Sequence, residues 1–244
     1  MIFEICVDSI AGVRAARAAG ADRVELCADL LEGGVTPSRG MIRQAKTIAG
    51  IGLNVMIRPR GGDFLFDDDE FATTRSDVET AKAEGADGVV IGLLTEAGEV
   101  DVTRTRALIS LARPLSITFH RAFDMIPEPF RALETLIELG VDRVLTSGQE
   151  PSALEGLPLI VELIERAGDR IVVMPGGGIT ERNVDRIVAA KPREIHFSAR
   201  EPTTSSMRFR RPHVFMGGEL RPPEYDRLDT SAALVRSIIA KASG

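Results

Sequence analysis

Two cysteines stand where strand-like stretches of the sequence end. Cys6 closes IFEIC from Ile2, and Cys27 closes GADRVELC from Gly20. Thiolates are the soft ligands that Cu(I) prefers, and the ends of neighbouring strands lie about 4.8 Å apart, close enough to share one ion. A free cysteine is also often just a small buried apolar residue. From the residues alone, both interpretations stay open.

A second group of residues has the chemistry of an anion site. Arg58 and Arg60 flank a proline and precede two glycines and Asp63, and guanidinium groups bind carboxylate or phosphate in a bidentate way. The alternative is a loop pinned by an Arg–Asp pair. The glycines Gly176, Gly177 and Gly178 open a helix after another apolar stretch, and Ser198 follows the last one. Their amides could bind an anion without any charged side chain.

His120 is the strongest single catalytic candidate. It ends the stretch LSITFH, and Asp124 follows four residues later. A histidine at such a position can exchange a proton near neutral pH, and a carboxylate can orient its ring. Glu25 is a further candidate, to orient a substrate or bind a metal. His196 lies deeper in its stretch, where a structural role is favoured.

The elements that must position these residues recur along the whole chain. Strand-like stretches of one set begin at Ile2, Leu53, Leu115 and Ile171, and those of the other set at Gly20, Gly85, Gly140 and Lys191. Windows of alanine, leucine and paired charges at helical spacing separate them. Eight strands alternating with helices in 244 residues predict an α/β fold, a single (β/α)8 barrel of the TIM type over residues 1–244. No glycine-rich phosphate turn follows the first strand, which argues against an open doubly wound sheet.

Strand alternation predicts which side chains face the barrel interior. Those expected inside include Glu4, Cys6, Arg23, Glu25, Cys27, Asn54, Arg58, Ser116, Thr118, His120, Glu194, His196 and Ser198. Chemistry in such barrels gathers where the strands end. The alternative is a polar core without a ligand, in which Glu4 and Glu25 pair with Arg23 and Arg58.

The composition of the chain argues against several classes of function. A net charge of −6 argues against nucleic acid or an anionic membrane as partner. The sequence shows neither a signal peptide nor an apolar run of membrane-spanning length, and two cysteines without a dense spacing pattern fit a reducing, cytoplasmic compartment. The lysines lie away from the predicted strand ends, which argues against Schiff-base chemistry.

A long loop is predicted over residues 200–226, after the eighth strand. It carries apolar residues among arginines, namely Met207, Phe209, Val214, Phe215 and Met216. Loops of this kind cover the mouth of a barrel or pack against a partner. We therefore expect a homodimer or larger homo-oligomer.

Several blocks together resemble one known family, the CutC proteins of copper homeostasis. The blocks are EICVDS at Glu4, ADRVELCADLLEGGVTPSRG at Ala21, MIRPRGGDF at Met56, TFHRAFD at Thr118, DRVLTSGQ at Asp142, SALEGLPLI at Ser152, VMPGGGI at Val173 and EIHFSAR at Glu194. The similarity runs from Glu4 to about Arg200. It implies a cytoplasmic barrel with a role in copper handling, in which Cu(I) is held by the residues matching Cys6 and Cys27.

Two functions of different class follow. The first is a copper homeostasis protein that binds Cu(I) through its strand-end cysteines. The second is a barrel enzyme acting on a phosphorylated or carboxylated small metabolite, with His120 as acid or base and the arginines and glycines holding the anion. The fold does not decide between them, because barrels host many chemistries.

Overall fold

Parallel strands form a nearly closed barrel in the computed structural model, which describes residues 1–214 and 226–244. The strands are β1 (Ile2–Val7), β2 (Arg23–Leu26), β3 (Gly52–Met56), β4 (Gly88–Ile91), β5 (Ser116–Phe119), β6 (Arg143–Thr146), β7 (Val172–Pro175) and β8 (Glu194–Phe197). Their order in the sheet is β7-β6-β5-β4-β3-β2-β1-β8, and a parallel bridge from Gly176 to His196 joins its two ends. The predicted (β/α)8 barrel is confirmed.

The helices surround this sheet. They are α1 (Ile10–Ala18), α2 (Arg39–Lys46), α3 (Asp68–Ala83), α4 (Val102–Ala112), α5 (Pro129–Leu139), α6 (Leu157–Ala167), α7 (Val184–Ala189) and α8 (Ala232–Ser243). Alternate strand residues such as Ile5, Val24 and Ile117 face outward and are fully buried in the apolar layer beneath the helices. The other half of each strand is thereby left to face the interior, where the charged residues lie.

Local sequence signals set the helix starts. Ser9 accepts a hydrogen bond from the Gly12 amide at the start of α1. At the start of α3, Asp67 and Glu70 form a reciprocal capping box, in which each side chain satisfies an amide that the helix leaves without a partner. The acidic residues Asp68, Asp69 and Glu70 form the first turn of this helix.

The segment after β8 differs from the expected loop. Its two ends, β9 (Arg200–Thr204) and β10 (Asp226–Thr230), form an antiparallel pair with Arg200 opposite Thr230. Met207, Phe209 and Val214 are exposed, whereas residues 215 and 216 lie outside the described residues. Homo-oligomer formation stays a prediction that light scattering would test. Within the described residues, no helix has the length and apolar character needed to cross a membrane.

Candidate functional site

The lower layer of the barrel interior is built around the Glu4 carboxylate. Glu4 is fully buried and accepts hydrogen bonds from Arg23 Nε at 2.5 Å and from Asn54 Nδ2 at 3.0 Å. Its other oxygen lies 2.8 Å from His196 Nδ1. Burial alone would raise the pKa of Glu4, but the His196 hydrogen bond and the Arg23 charge lower it to about 2. Glu4 is therefore a paired, ionised core residue.

A second carboxylate completes this layer. Glu194 accepts from Arg23 and from Arg143 Nε at 3.0 Å, and Arg143 also donates to Ser116 and Thr118. We call this set the ion-pair layer, namely Glu4, Arg23, Asn54, Arg143 and Glu194. The polar-core interpretation is confirmed for Glu4 and Arg23.

Four potential metal ligands lie above the ion-pair layer, towards the strand ends. We call Cys6, Cys27, Glu25 and His196 the thiol cluster. The two Sγ atoms are 3.8 Å apart, and Cys27 Sγ lies 3.4 Å from Glu25 Oε2. Ligand atoms of Cys6, Glu25 and His196 all fall within 4.8 Å of one another. Such spacing lets several of these groups contact one ion.

Strand register explains why these residues meet. Cys6 pairs with Glu25 in adjacent strands, and the Cys27 amide donates to the Val7 carbonyl at 2.8 Å. On the other side of β1, Glu4 pairs with His196, so their hydrogen bond aims the remaining ring nitrogen upward. His196 Nε2 accordingly lies 3.8 Å from Glu25 Oε2.

The pKa values of the two thiols in the thiol cluster shift in opposite directions. The hydrogen bond with Cys27 lowers the pKa of Cys6 to about 5, burial opposes this, and His196 reinforces it. The same hydrogen bond and burial raise the pKa of Cys27 well above its usual range. Burial works against a charged His196, but Glu25, Cys6 and Glu4 together raise its pKa well above its usual range. These shifts favour a Cys6 thiolate beside a His196 imidazolium.

Glu25 is the incompletely bonded member of the thiol cluster. It is almost completely buried, and its Oε1 atom has no hydrogen-bond partner. Burial, followed by the neighbouring Cys6 thiolate, raises its pKa well above the usual range. The expected pairing of Glu25 with an arginine is replaced by contacts with Cys27 and His196.

Arg58 is held by the loop between β2 and α2 and by the loop after β3. Its guanidinium donates to the carbonyls of Glu32, Gly34 and Gly62, so it fastens that loop over Cys27. A Cβ atom at Gly34 would lie 3.1 Å from Cys27 Sγ, which shows how closely the loop crosses the thiol. Arg60 pairs with Asp63 and Glu70, as in the pinned-loop alternative.

The proposed catalytic pair lies in two separate networks. His120 is buried, its Nδ1 accepts from the Ala122 amide, and its Nε2 has no partner. Burial and the nearby Arg58 charge lower the pKa of His120 to about 3. Asp124 instead accepts from Thr146 Oγ1 and the Ser147 amide, so it does not orient the His120 ring by a hydrogen bond.

A cavity of about 890 Å³ opens beside the thiol cluster. Cys6 and His196 line it together with Gly177, Gly178 and Ser198 from the predicted anion site. Among the residues that the structure describes, its lining does not include Arg58, Arg60 or Gly176. The arginines that line the cavity are instead Arg121, Arg182 and Arg200.

Two kinds of site residue escape reasoning from the sequence. His196 faces inward by strand alternation, but its ligand-like position depends on Glu4 holding one ring nitrogen. Arg121 and Arg200 each come shortly after the end of a strand, a position that could have indicated a role in the site. Many other arginines in this chain lie on helices, so the residue type alone was not a signal. Only the folded arrangement brings these two to one cavity.

Comparison with known proteins identifies the family. The CutC family model matches residues 1–201. The chain belongs to the CutC family. A human relative, the copper homeostasis protein cutC homolog, is 51% identical over 242 residues, which are 99% of this chain and 89% of the human protein. A CutC family protein of Parabacteroides distasonis is 48% identical over 98% of this chain and 99% of its own length.

A solved structure from the CutC family shares the fold. The CutC protein of Streptococcus agalactiae is 33% identical, with a TM-score of 0.78, and the match covers 81% of this chain and 98% of that one. The thiol cluster of this CutC family member therefore sits in the barrel architecture of its relatives.

Proposed function

We propose that this CutC family protein binds Cu(I) through Cys6 and Cys27 as its part in copper homeostasis. The observation that carries the proposal is the pair of buried sulfurs 3.8 Å apart, with an unpartnered carboxylate oxygen beside them. Soft thiolates in a small ligand set suit Cu(I). The reducing cytoplasm is the compartment that we propose, because it keeps both thiols available.

The sulfur separation favours a bent site. Thiolate–metal bonds of about 2.3 Å, the length known for zinc, combined with the 3.8 Å separation, give a sulfur–metal–sulfur angle of about 110°. A bent pair leaves room for a third ligand. Glu25 and His196 are placed to supply it, since both lie within 4.8 Å of Cys6.

Cysteine substitution tests this proposal. We expect Cys6→Ser and Cys27→Ser each to weaken Cu(I) binding more than about 100-fold, because even changes outside the ligand set commonly cost 10–100-fold. Titration against a chromophoric Cu(I) chelator under anaerobic, reducing conditions measures this. His120→Gln is the control, a buried strand-end residue outside the thiol cluster, and should retain the wild-type affinity. Retention of Cu(I) by the double serine variant would contradict the proposal.

The cavity favours a second candidate function, an enzyme acting on a phosphorylated or carboxylated metabolite. Cys6 and His196 both open onto it, and Glu4 holds the His196 ring. This is the arrangement of a thiolate nucleophile, an imidazolium that can donate a proton, and a carboxylate that orients the ring. Mass spectrometry of natively purified protein separates the two candidates. Bound copper supports the first, and a bound metabolite without metal supports the second.

A further inference from the structure

The two sulfurs differ in their access to the cavity. Cys6 lines it and keeps 8% of its surface exposed, whereas Cys27 is fully buried. The loop held by Arg58 also closes over Cys27, with Gly34 directly against its sulfur. An ion that enters from the cavity therefore meets Cys6 first and Cys27 second.

The cavity itself is suited to a small anionic molecule. Its described lining carries three arginines, Arg121, Arg182 and Arg200, against one glutamate, Glu181. Arg121 also pairs with Asp124, and Arg200 lies 3.7 Å from Asp8, so a ligand would share these two guanidinium groups with the carboxylates of the protein. A volume of about 890 Å³ lies in the range of sites for small metabolites. Guanidinium groups favour carboxylates and phosphates there.

Glycine keeps the floor of this cavity open. A Cβ atom at Gly177 would stand 3.5 Å from the guanidinium carbon of Arg121 and 3.2 Å from Ser147. Gly177 also has a φ of 103°, a conformation that glycine adopts without strain. Glycine at position 177 therefore adds no side chain between Arg121 and Ser147, on the side of the cavity that Ser198 also lines.

We propose that this cavity binds an anionic low-molecular-weight thiol that delivers Cu(I) as its thiolate complex. The inference rests on the proposed copper function and names the partner of that same site. The carrier's carboxylates would lie towards Arg121 and Arg200, and its sulfur would occupy the ligand position that the bent Cys6–Cys27 pair leaves open. A thiol is required because soft sulfur ligands keep hold of Cu(I) throughout the exchange.

The transfer is a ligand exchange without any redox step. The copper–sulfur bond to the carrier breaks while bonds to Cys6 and Cys27 form. Cys6 is already a thiolate, and the proton lost by the Cys27 thiol passes to the departing carrier thiolate. Copper remains Cu(I) throughout.

The test uses glutathione, a tripeptide with one thiol and two carboxylates, as the carrier probe. Wild-type protein loaded with one equivalent of Cu(I) is titrated anaerobically and followed by native mass spectrometry. We expect a ternary complex of protein, copper and glutathione. S-methylglutathione, which lacks the thiol, and 2-mercaptoethanol, which lacks the carboxylates, should each form at least about ten-fold less of it.

Variants separate the carrier site from the copper site. Arg121→Gln combined with Arg200→Gln should weaken the ternary complex about ten-fold or more, since the charged hydrogen bonds to the carrier's carboxylates are lost. Cu(I) affinity measured with a chelator should stay within about two-fold of the wild type. Arg131→Gln, which removes an exposed arginine paired with Glu99, is the matched control and should change neither quantity.

The results distinguish the carrier inference from the proposed copper binding. Equal ternary complex formation with glutathione and 2-mercaptoethanol, or no effect of the double arginine variant, would overturn the carrier inference while leaving copper binding intact. Failure of wild-type protein to bind Cu(I) at all would overturn both.

Discussion

The ion-pair layer and the thiol cluster follow one another along the strands β1, β2 and β8, yet their polar groups are used in opposite ways. Glu4 on β1 has three partners on its two oxygens. Glu25 on β2 is equally buried but leaves one oxygen without a partner. The pKa of Glu4 falls to about 2, whereas that of Glu25 rises well above its usual range.

This contrast distinguishes a structural network from a binding site. Buried charges are tolerated when they are paired and hydrogen-bonded, and an unpaired buried polar group is costly. The ion-pair layer satisfies its own groups and needs no ligand. The thiol cluster keeps two sulfurs and a carboxylate oxygen that a metal ion would satisfy.

The largest expected change in the free energy of unfolding comes from a substitution in the ion-pair layer. Glu4→Gln should lower the free energy of unfolding by about 3 kcal/mol at pH 7, because it removes the buried carboxylate from His196 and leaves Arg23 paired with Glu194 alone. Urea denaturation measures this. A loss below about 1 kcal/mol would show that the layer is not a structural network.

The pH dependence of the stability is a second measurement of the role of Glu4. The folded-state pKa of Glu4 is depressed, so its contribution to stability is present above pH 4.5 and is lost as the pH falls towards about 2. Wild-type protein should lose stability over that window. In Glu4→Gln this component should be missing from the acid transition.

An intermediate loss of stability is expected from a substitution in the loop that crosses Cys27. Gly34→Ala should lower the free energy of unfolding by about 1–2 kcal/mol, since alanine is strained at positive φ and its Cβ would press on the Cys27 sulfur. Cu(I) affinity should fall with it. Gly20→Ala, also at positive φ but with open space around its Cβ, controls for backbone strain. Equal Cu(I) affinities in the two variants would show that the loop does not position the thiol.

The smallest stability change should come from the matched substitution in the thiol cluster. Glu25→Gln should alter the free energy of unfolding by less than about 1 kcal/mol, because the carboxyl has few partners to lose. Cu(I) affinity should nevertheless fall about ten-fold, the effect of a weakened third ligand. A stability loss as large as that of Glu4→Gln would remove the distinction between the two regions.

Much of this arrangement could be predicted from sequence, because it depends on local patterns. Strand alternation correctly placed Glu4, Cys6 and Glu25 in the interior, and the stretches that begin at Gly20, Gly85 and Gly140 contain β2, β4 and β6. These signals lie within about ten residues of the feature they specify. The barrel and its layer of polar interior residues follow from them.

The remaining features depend on distant contacts. Arg58 does not pair with Glu25, because carbonyls of a loop more than twenty residues earlier capture its guanidinium. The β9–β10 pair joins strands separated by a long segment, so no hairpin turn signals it. Nor does the spacing of His120 and Asp124 reveal that Thr146 and Ser147 bind the carboxylate.

X-ray absorption spectroscopy of the protein loaded with one equivalent of Cu(I), without added thiol, tests the central claim most directly. We expect two sulfur ligands at about 2.3 Å, as in other thiolate–metal bonds, and one nitrogen or oxygen ligand from His196 or Glu25. In Cys27→Ser one sulfur should disappear, and in Glu4→Gln, if it folds, both should remain. A first coordination shell containing no sulfur, or a single sulfur in the wild-type protein, would contradict the assignment of the thiol cluster as the copper site.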